Sequence, residues 1–180
     1  MLDFQRDGSF WTTEEQLPSW AGYQTRNGPY GSISSDSPSD RVVKIYASDR
    51  DEFPPTEQDR AGVQWLLDHE AEVASVVLEG LLAEYPRLQR LYGYEGADRE
   101  ALMPDVSSSE DFRQLIGLHN VHVLQLLKDG IPYVGYEFGC TWDGEHGLGV
   151  FVHGTRVLEV GEAATAFDLG IAEEDAGLET

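Results

Sequence analysis

His119-Asn-Val121-His-Val123-Leu-Gln-Leu126-Leu127-Lys128-Asp129-Gly130-Ile131-Pro-Tyr133-Val134-Gly135-Tyr136-Glu137-Phe138-Gly139-Cys140-Thr-Trp142 is the stretch that decides the fold. Two apolar runs meet at Lys128-Asp129-Gly130. Glycine there supplies a left-handed residue, so the three form a hairpin turn. Side chains alternate faces along a strand. Val134, Tyr136, Phe138, Cys140 and Trp142 therefore share one face of the second strand. Tyr133, Gly135, Glu137 and Gly139 share the other. Downstream, Asp143-Gly144-Glu145-His146-Gly147 makes a turn into a third strand, Leu148-Gly-Val150-Phe151-Val152. His153-Gly154-Thr155 turns again into Arg156-Val157-Leu158-Glu159-Val160. Residues 118–161 thus predict an antiparallel meander.

Upstream, the periodicity changes from two to 3.6. Thr56 is an N-cap, with Glu57 and Asp59 in the first turn, where negative charge suits the helix dipole. Val63, Leu66, Leu67, Ala71, Ala74, Val77, Leu78, Leu81 and Tyr85 recur at three- and four-residue spacing. That is one apolar stripe on a long helix over 56–86, ending near Pro86, with Asp68, Glu72 and Glu79 on its outer face. Residues 87–104 lack a period. Ser107-x-x-Glu110 is a capping box that starts a short helix ending at Gly117. A further short helix is expected near Glu162–Phe167.

Residues 1–55 predict short strands and turns. Trp20–Arg26 and Tyr30–Ile33 flank Asn27-Gly28, a hairpin signal, and Pro29 shifts its register. Ser34–Asp40 is a polar loop, and Arg41–Tyr46 a third strand. Residues after Arg156 contain no Lys or Arg, so 171–180 is expected to be an acidic tail. The expected fold class is α+β. An antiparallel sheet meander packs against one long amphipathic helix and one or two short helices, in a single domain over 1–170.

The chain has 180 residues, with 33 Asp+Glu, 12 Lys+Arg and a net charge of −21. At 41% hydrophobic residues it is too apolar for a disordered acidic chain. The charge excludes phosphate neutralisation of nucleic acid, which needs clustered Lys and Arg, and it disfavours anionic membranes. It favours a cationic partner. The only Cys, Cys140, rules out an internal disulfide and suits a reducing compartment. No basic and apolar leader opens the chain, and no run reaches a membrane span of roughly 18 apolar residues. The expected location is cytoplasmic.

Chemistry-bearing residues concentrate in Glu137–His146. Cys140 and His146 are the residue types of a nucleophilic pair, but Cys140 shares a face with Phe138 and Trp142, as a small buried thiol does. His119 and His122 are an odd number apart on a strand and point to opposite faces, so they do not form a metal site. No phosphate-binding or nucleophile-elbow motif is present. No cofactor is implied.

The stretch Tyr136-Glu-Phe-Gly-Cys-Thr-Trp-Asp-Gly-Glu-His-Gly-Leu-Gly-Val150, with Arg156-Val-Leu-Glu-Val-Gly161 after it, resembles a bacterial family of uncharacterised small α+β proteins. That family carries an F-G-C-x-W-[DE]-x-E-H-G-L-G-V strand–turn–strand motif, and the helix from Thr56 to Tyr85 is similar too. The motif has a structural reading, with Trp142 beneath the hairpin and Asp143-Gly144 turning. It also has a functional one, with Asp143, Glu145 and His146 as an exposed recognition tip. In size and acidity the chain is similar to immunity proteins. The resemblance implies an immunity or antitoxin-type protein that binds and occludes a cationic toxin such as a nuclease. Asp68, Glu72, Glu137, Asp143, Glu145 and His146 are the expected contact residues. The alternatives are a small enzyme using Glu137–His146, and an acidic mimic of nucleic acid.

Overall fold

A computed structural model of the chain describes residues 2–31, 33–48 and 53–178. Its strands are β1 (Gln5–Asp7), β2 (Phe10–Gln16), β3 (Gln24–Asn27), β4 (Ile33–Pro38), β5 (Val42–Ser48), β6 (Ile116–Lys128), β7 (Ile131–Cys140), β8 (Leu148–His153) and β9 (Arg156–Gly161). Its helices are α1 (Glu57–Asp68), α2 (Glu70–Tyr92), α3 (Gly96–Leu102) and α4 (Leu169–Ala176). The class is α+β.

The meander from β6 to β9 is antiparallel throughout. Asp129 and Gly130 both take positive φ, 54° and 77°, the turn geometry that matches strand twist. The sheet is larger than the meander. β5 joins β6 in parallel and β2 antiparallel, giving the order β1-β2-β5-β6-β7-β8-β9. A parallel pair needs a long crossover, and the helices fill it.

Several expectations are corrected. The helix over 56–86 is two helices. Thr56 and Asp59 cap α1 reciprocally. At His69 the backbone leaves helical geometry (φ −113°, ψ 13°), while the ring stacks on Trp65 and bonds its carbonyl at 2.7 Å. α2 then runs through Pro86 to a left-handed Gly93. Tertiary contacts hold it past the proline: Leu88 is buried, the Tyr85 hydroxyl donates to the Pro104 carbonyl, and Arg87 donates to the Val160 carbonyl. Part of the aperiodic 87–104 is therefore helical, in the end of α2 and in α3. The capping box lies one residue on, at Ser108 and Asp111, and opens a 3₁₀ helix over Ser109–Gln114, because Glu110 is drawn to Arg113. The strand expected at Trp20–Arg26 is a 3₁₀ turn at Pro18–Trp20 followed by β3. The polar stretch 34–40 supplies β4, which pairs with β3 across a 3₁₀ turn at Pro29–Gly31.

The stretch 171–180 was expected to be a tail, yet its first residues belong to α4. Asp168 caps that helix, and Ala172 is fully buried. Asp175 latches it to the sheet. It accepts from Arg156 at 2.8 Å, from Lys128 at 3.0 Å and from the Tyr133 hydroxyl at 2.8 Å. The Arg156 bond, aided by Lys128 and Tyr133, outweighs partial burial and holds the Asp175 carboxyl below the usual range. Burial and that same carboxylate push Tyr133 up to about 12. A lowered carboxyl pKa contributes fully above the unfolded-state value of roughly 3.9 and loses that contribution progressively as pH falls from there through the lower folded-state value. Asp175→Ala is expected to cost about 1–2 kcal/mol at pH 7, allowing for solvent screening. Urea unfolding should show the gap from the parent constant above about pH 5 and shrinking steadily as pH falls below about 4.

The sheet has two unlike faces. Val121, Val134, Tyr136, Phe138 and Val150 pack against the helices in the main core. The Glu137 face is instead lined by glycines, which let two covers approach its backbone. At one end the β3–β4 hairpin lies on Gly117 and Gly139, where a Cβ would overlap the Gln24 and Gly31 carbonyls. At the other, the 3₁₀ turn Ala163–Phe167 lies on Gly135, Gly149 and Gly161. Between the covers the face stays open.

Candidate functional site

Strand register builds the floor of that opening. Glu137 pairs across with Asn120 of β6, and His122 pairs with Gly135. All three polar side chains therefore lie on the glycine-lined face. Asn120 Nδ2 donates to Glu137 Oε2 at 3.0 Å, and His122 Nε2 lies 2.9 Å from the same oxygen. Facing a carboxylate, Nε2 is the protonated nitrogen whether the ring is neutral or charged. Oε1 has no hydrogen-bond partner among the described residues. Glu137 is 5% exposed. Burial works to raise its carboxyl, but the bonds from His122 and Asn120 prevail and hold it below the ordinary value. The floor is anionic.

Aromatic rings form the walls. Tyr46 stacks on His122 with centroids 4.9 Å apart, Phe167 tilts against it at 5.0 Å, and Phe10 meets Tyr46 edge-on at 5.4 Å. With Leu124, Leu126 and Leu169 they enclose a cavity of about 540 Å³, in the range of small-ligand sites. A smaller polar hollow of about 280 Å³ adjoins it through Tyr46 and Asn120, and is lined by Arg26, Lys44 and His119. Lys44 is paired with Asp7 at 2.7 Å, and His119 Nδ1 lies 3.3 Å from the Arg26 carbonyl. Among the described residues no group of three or more His, Cys, Asp or Glu is placed to hold a metal ion.

The six expected contact residues fall in three places. Asp68 and Glu72 are exposed on the helical layer, where Asp68 accepts from Gln64 at 2.8 Å. Glu137 is on the opposite side of the sheet. Asp143, Glu145 and His146 form the β7–β8 turn. Asp143 is its internal brace, accepting from the Tyr92 hydroxyl at 2.8 Å and from the Glu145 and His146 amides at 3.1 and 2.9 Å. Partial burial opposes its ionisation, and these donors overcome that, keeping the carboxyl low. Only Glu145 and His146 project outward, and contact with Asp143 raises the His146 imidazole. Cys140 and His146 have different partners: the buried thiol faces the Asp143 carbonyl at 3.6 Å and is pushed up to about 12, whereas the His146 ring faces the Asp143 carboxylate. Sequence reasoning found Glu137 but missed Asn120, His122, Tyr46, Phe10 and Phe167. Pairing counted back from the Asp129-Gly130 turn would have set His122 against Glu137.

A family model described as Domain of unknown function (DUF6985) matches residues 9–167. The chain belongs to the DUF6985 family. Comparison with curated proteins and with solved structures returned no match. The DUF6985 segment opens just before Phe10 and closes at Phe167, so it contains the anionic floor and the aromatic walls. The α4 latch lies beyond it.

Proposed function

We propose that this DUF6985 protein is an immunity or antitoxin-type protein of the bacterial cytoplasm that neutralises a cognate toxin, with a nuclease as the expected class, by binding and occluding it. One observation carries the reading: six of the twelve Lys and Arg side chains are already matched with the chain's own carboxylates, leaving a large excess of acid. Lys44, Arg87, Arg99, Arg113, Lys128 and Arg156 each already pair with a carboxylate. The chain's net charge is −21, and Glu72 and Glu145 are among its exposed acids. Such a field accelerates encounter with a cationic surface and suppresses binding to anionic ones. The strand–turn–strand motif contributes the exposed pair Glu145 and His146, and α1–α2 contribute Asp68 and Glu72. The expected result is growth rescue when the protein is co-expressed with the toxin encoded beside it. The complex should associate at least tenfold more slowly at 0.5 M than at 0.05 M salt. A neighbouring toxin that kills equally with and without the protein, and forms no complex with it, would overturn the proposal.

A further inference from the structure

We infer that the aromatic-walled cleft is a receptor for the cationic side chain of an Arg or Lys presented by the protein partner. A buried carboxylate is ordinarily paired with a cation. Around Glu137 the one such contact among the described residues is the His122 imidazole, 2.9 Å from Oε2, which carries charge only when protonated; no Lys or Arg among them forms an ion pair with it. Among the described residues its Oε1 has no hydrogen-bond partner, and Glu137 lines the open cavity. The missing partner is a hydrogen-bond donor carrying positive charge.

The walls define the rest of the ligand. Leu124, Leu126 and Leu169 accept a methylene stem, as long cationic side chains bury their stems while placing the head elsewhere. The rings of Tyr46, Phe10 and Phe167 attract a cation through their negative faces. A neutral apolar ligand would desolvate Glu137 without compensating its charge, and an anion would be repelled. A bare divalent metal would find a single carboxylate where it needs several oxygens. An alkyl guanidinium or alkylammonium meets every requirement. This inference rests on the proposed binding function for the source of that side chain, since a partner attracted by the acidic surface is rich in Arg and Lys.

The test uses the full chain and the probes Nα-acetyl-arginine methylamide and Nα-acetyl-lysine methylamide, followed by NMR titration. Citrulline and norleucine derivatives serve as neutral counterparts. The cationic probes are expected to shift the resonances of Tyr46, His122 and Phe167 saturably, and to bind at least tenfold more tightly than their neutral counterparts. Glu137→Gln should remove that preference, whereas Glu100→Gln, exposed on α3 and outside the cleft lining, should preserve it. Mapping the shifts on the parent protein keeps the test valid if Glu137→Gln fails to fold. Equal affinity for charged and neutral probes, or no saturable shift in the cleft, would sink the assignment. A toxin neutralised equally by the parent and by folded Glu137→Gln would refute the cleft and leave the immunity reading standing. Cleft binding without any toxin to neutralise would do the reverse.

Discussion

Replacing Gly135 with alanine is expected to lower the unfolding free energy by roughly 3 kcal/mol and to abolish binding in the cleft. A Cβ at this position would overlap the backbone carbonyl of Ala166, with the Ala166 carbonyl carbon and Cα close behind. Backbone cannot rotate aside as a side chain can, so the whole Ala163–Phe167 turn must lift. That turn is tied down by the Ala163 amide on the His146 carbonyl at 2.9 Å and by Phe167 against His122. Lifting it removes one wall of the cavity and exposes the Glu137 pair to water. Gly144→Ala is the control. Nothing lies within 4 Å of its added Cβ, so its stability should stay within about 0.5 kcal/mol of the parent. Urea unfolding of both variants, with the arginine-probe titration alongside, reads the two effects. A Gly135→Ala protein as stable as the parent and still binding the probe would mean the turn does not rest on this strand.

Trp20→Ala is expected to cost about 4 kcal/mol, the range for truncating a fully buried large aromatic. Trp20 is 0% exposed and packs its ring against Phe138, Tyr23 and Tyr136 at 5.1, 5.4 and 5.7 Å. Its indole N–H makes no hydrogen bond, so its contribution is packing. Trp20→Phe should therefore retain most of the stability, and that contrast separates packing from polar effects in denaturant titrations. The position also matters mechanically. Trp20 ends the 3₁₀ turn that Ser19 fastens to Glu70 through two bonds, at 3.0 and 2.9 Å. From there the chain enters the hairpin that covers Gly117 and Gly139. Loss of Trp20 should loosen this hairpin before the meander yields.

What could be read in advance was whatever depended on neighbours in sequence. The Asp129-Gly130 turn, the two faces of β7 and the Thr56 cap are local, and each is present as expected. What escaped was set by partners far along the chain. The parallel seam between β5 and β6 leaves no local trace, because its strands are separated by the whole helical layer. Pro86 suggested a helix end, but Tyr85, Arg87 and Leu88 were already committed to distant groups. The acids after Arg156 looked like a solvated tail because composition does not reveal that Asp175 meets Arg156, Lys128 and Tyr133. In the cleft, Glu137 stood out as a carboxylate among glycines. The odd spacing of His122 from His119 gives no hint of its real counterpart, Glu137, across the hairpin. Register shifts in β6 slide the pairing by two residues between Val123 and Leu127, which preserves the face and so keeps the two side chains in contact.

The parallel seam also sets the order in which the molecule can assemble. The hairpins from β6 to β9 join segments adjacent in sequence, so they close small loops and can form early. Joining β5 to β6 must await closure of the long crossover 49–115. Phe10 and Tyr46 arrive only with that late step, whereas His122, Glu137 and Phe167 belong to the early unit. The cavity is therefore expected to be completed only when β5 docks on β6, and the same seam is where it is expected to breathe open. Amide exchange should run faster in β2 and β5 than in β7 and β8, so the Phe10 and Tyr46 side of the cavity can widen to admit a bulky side chain.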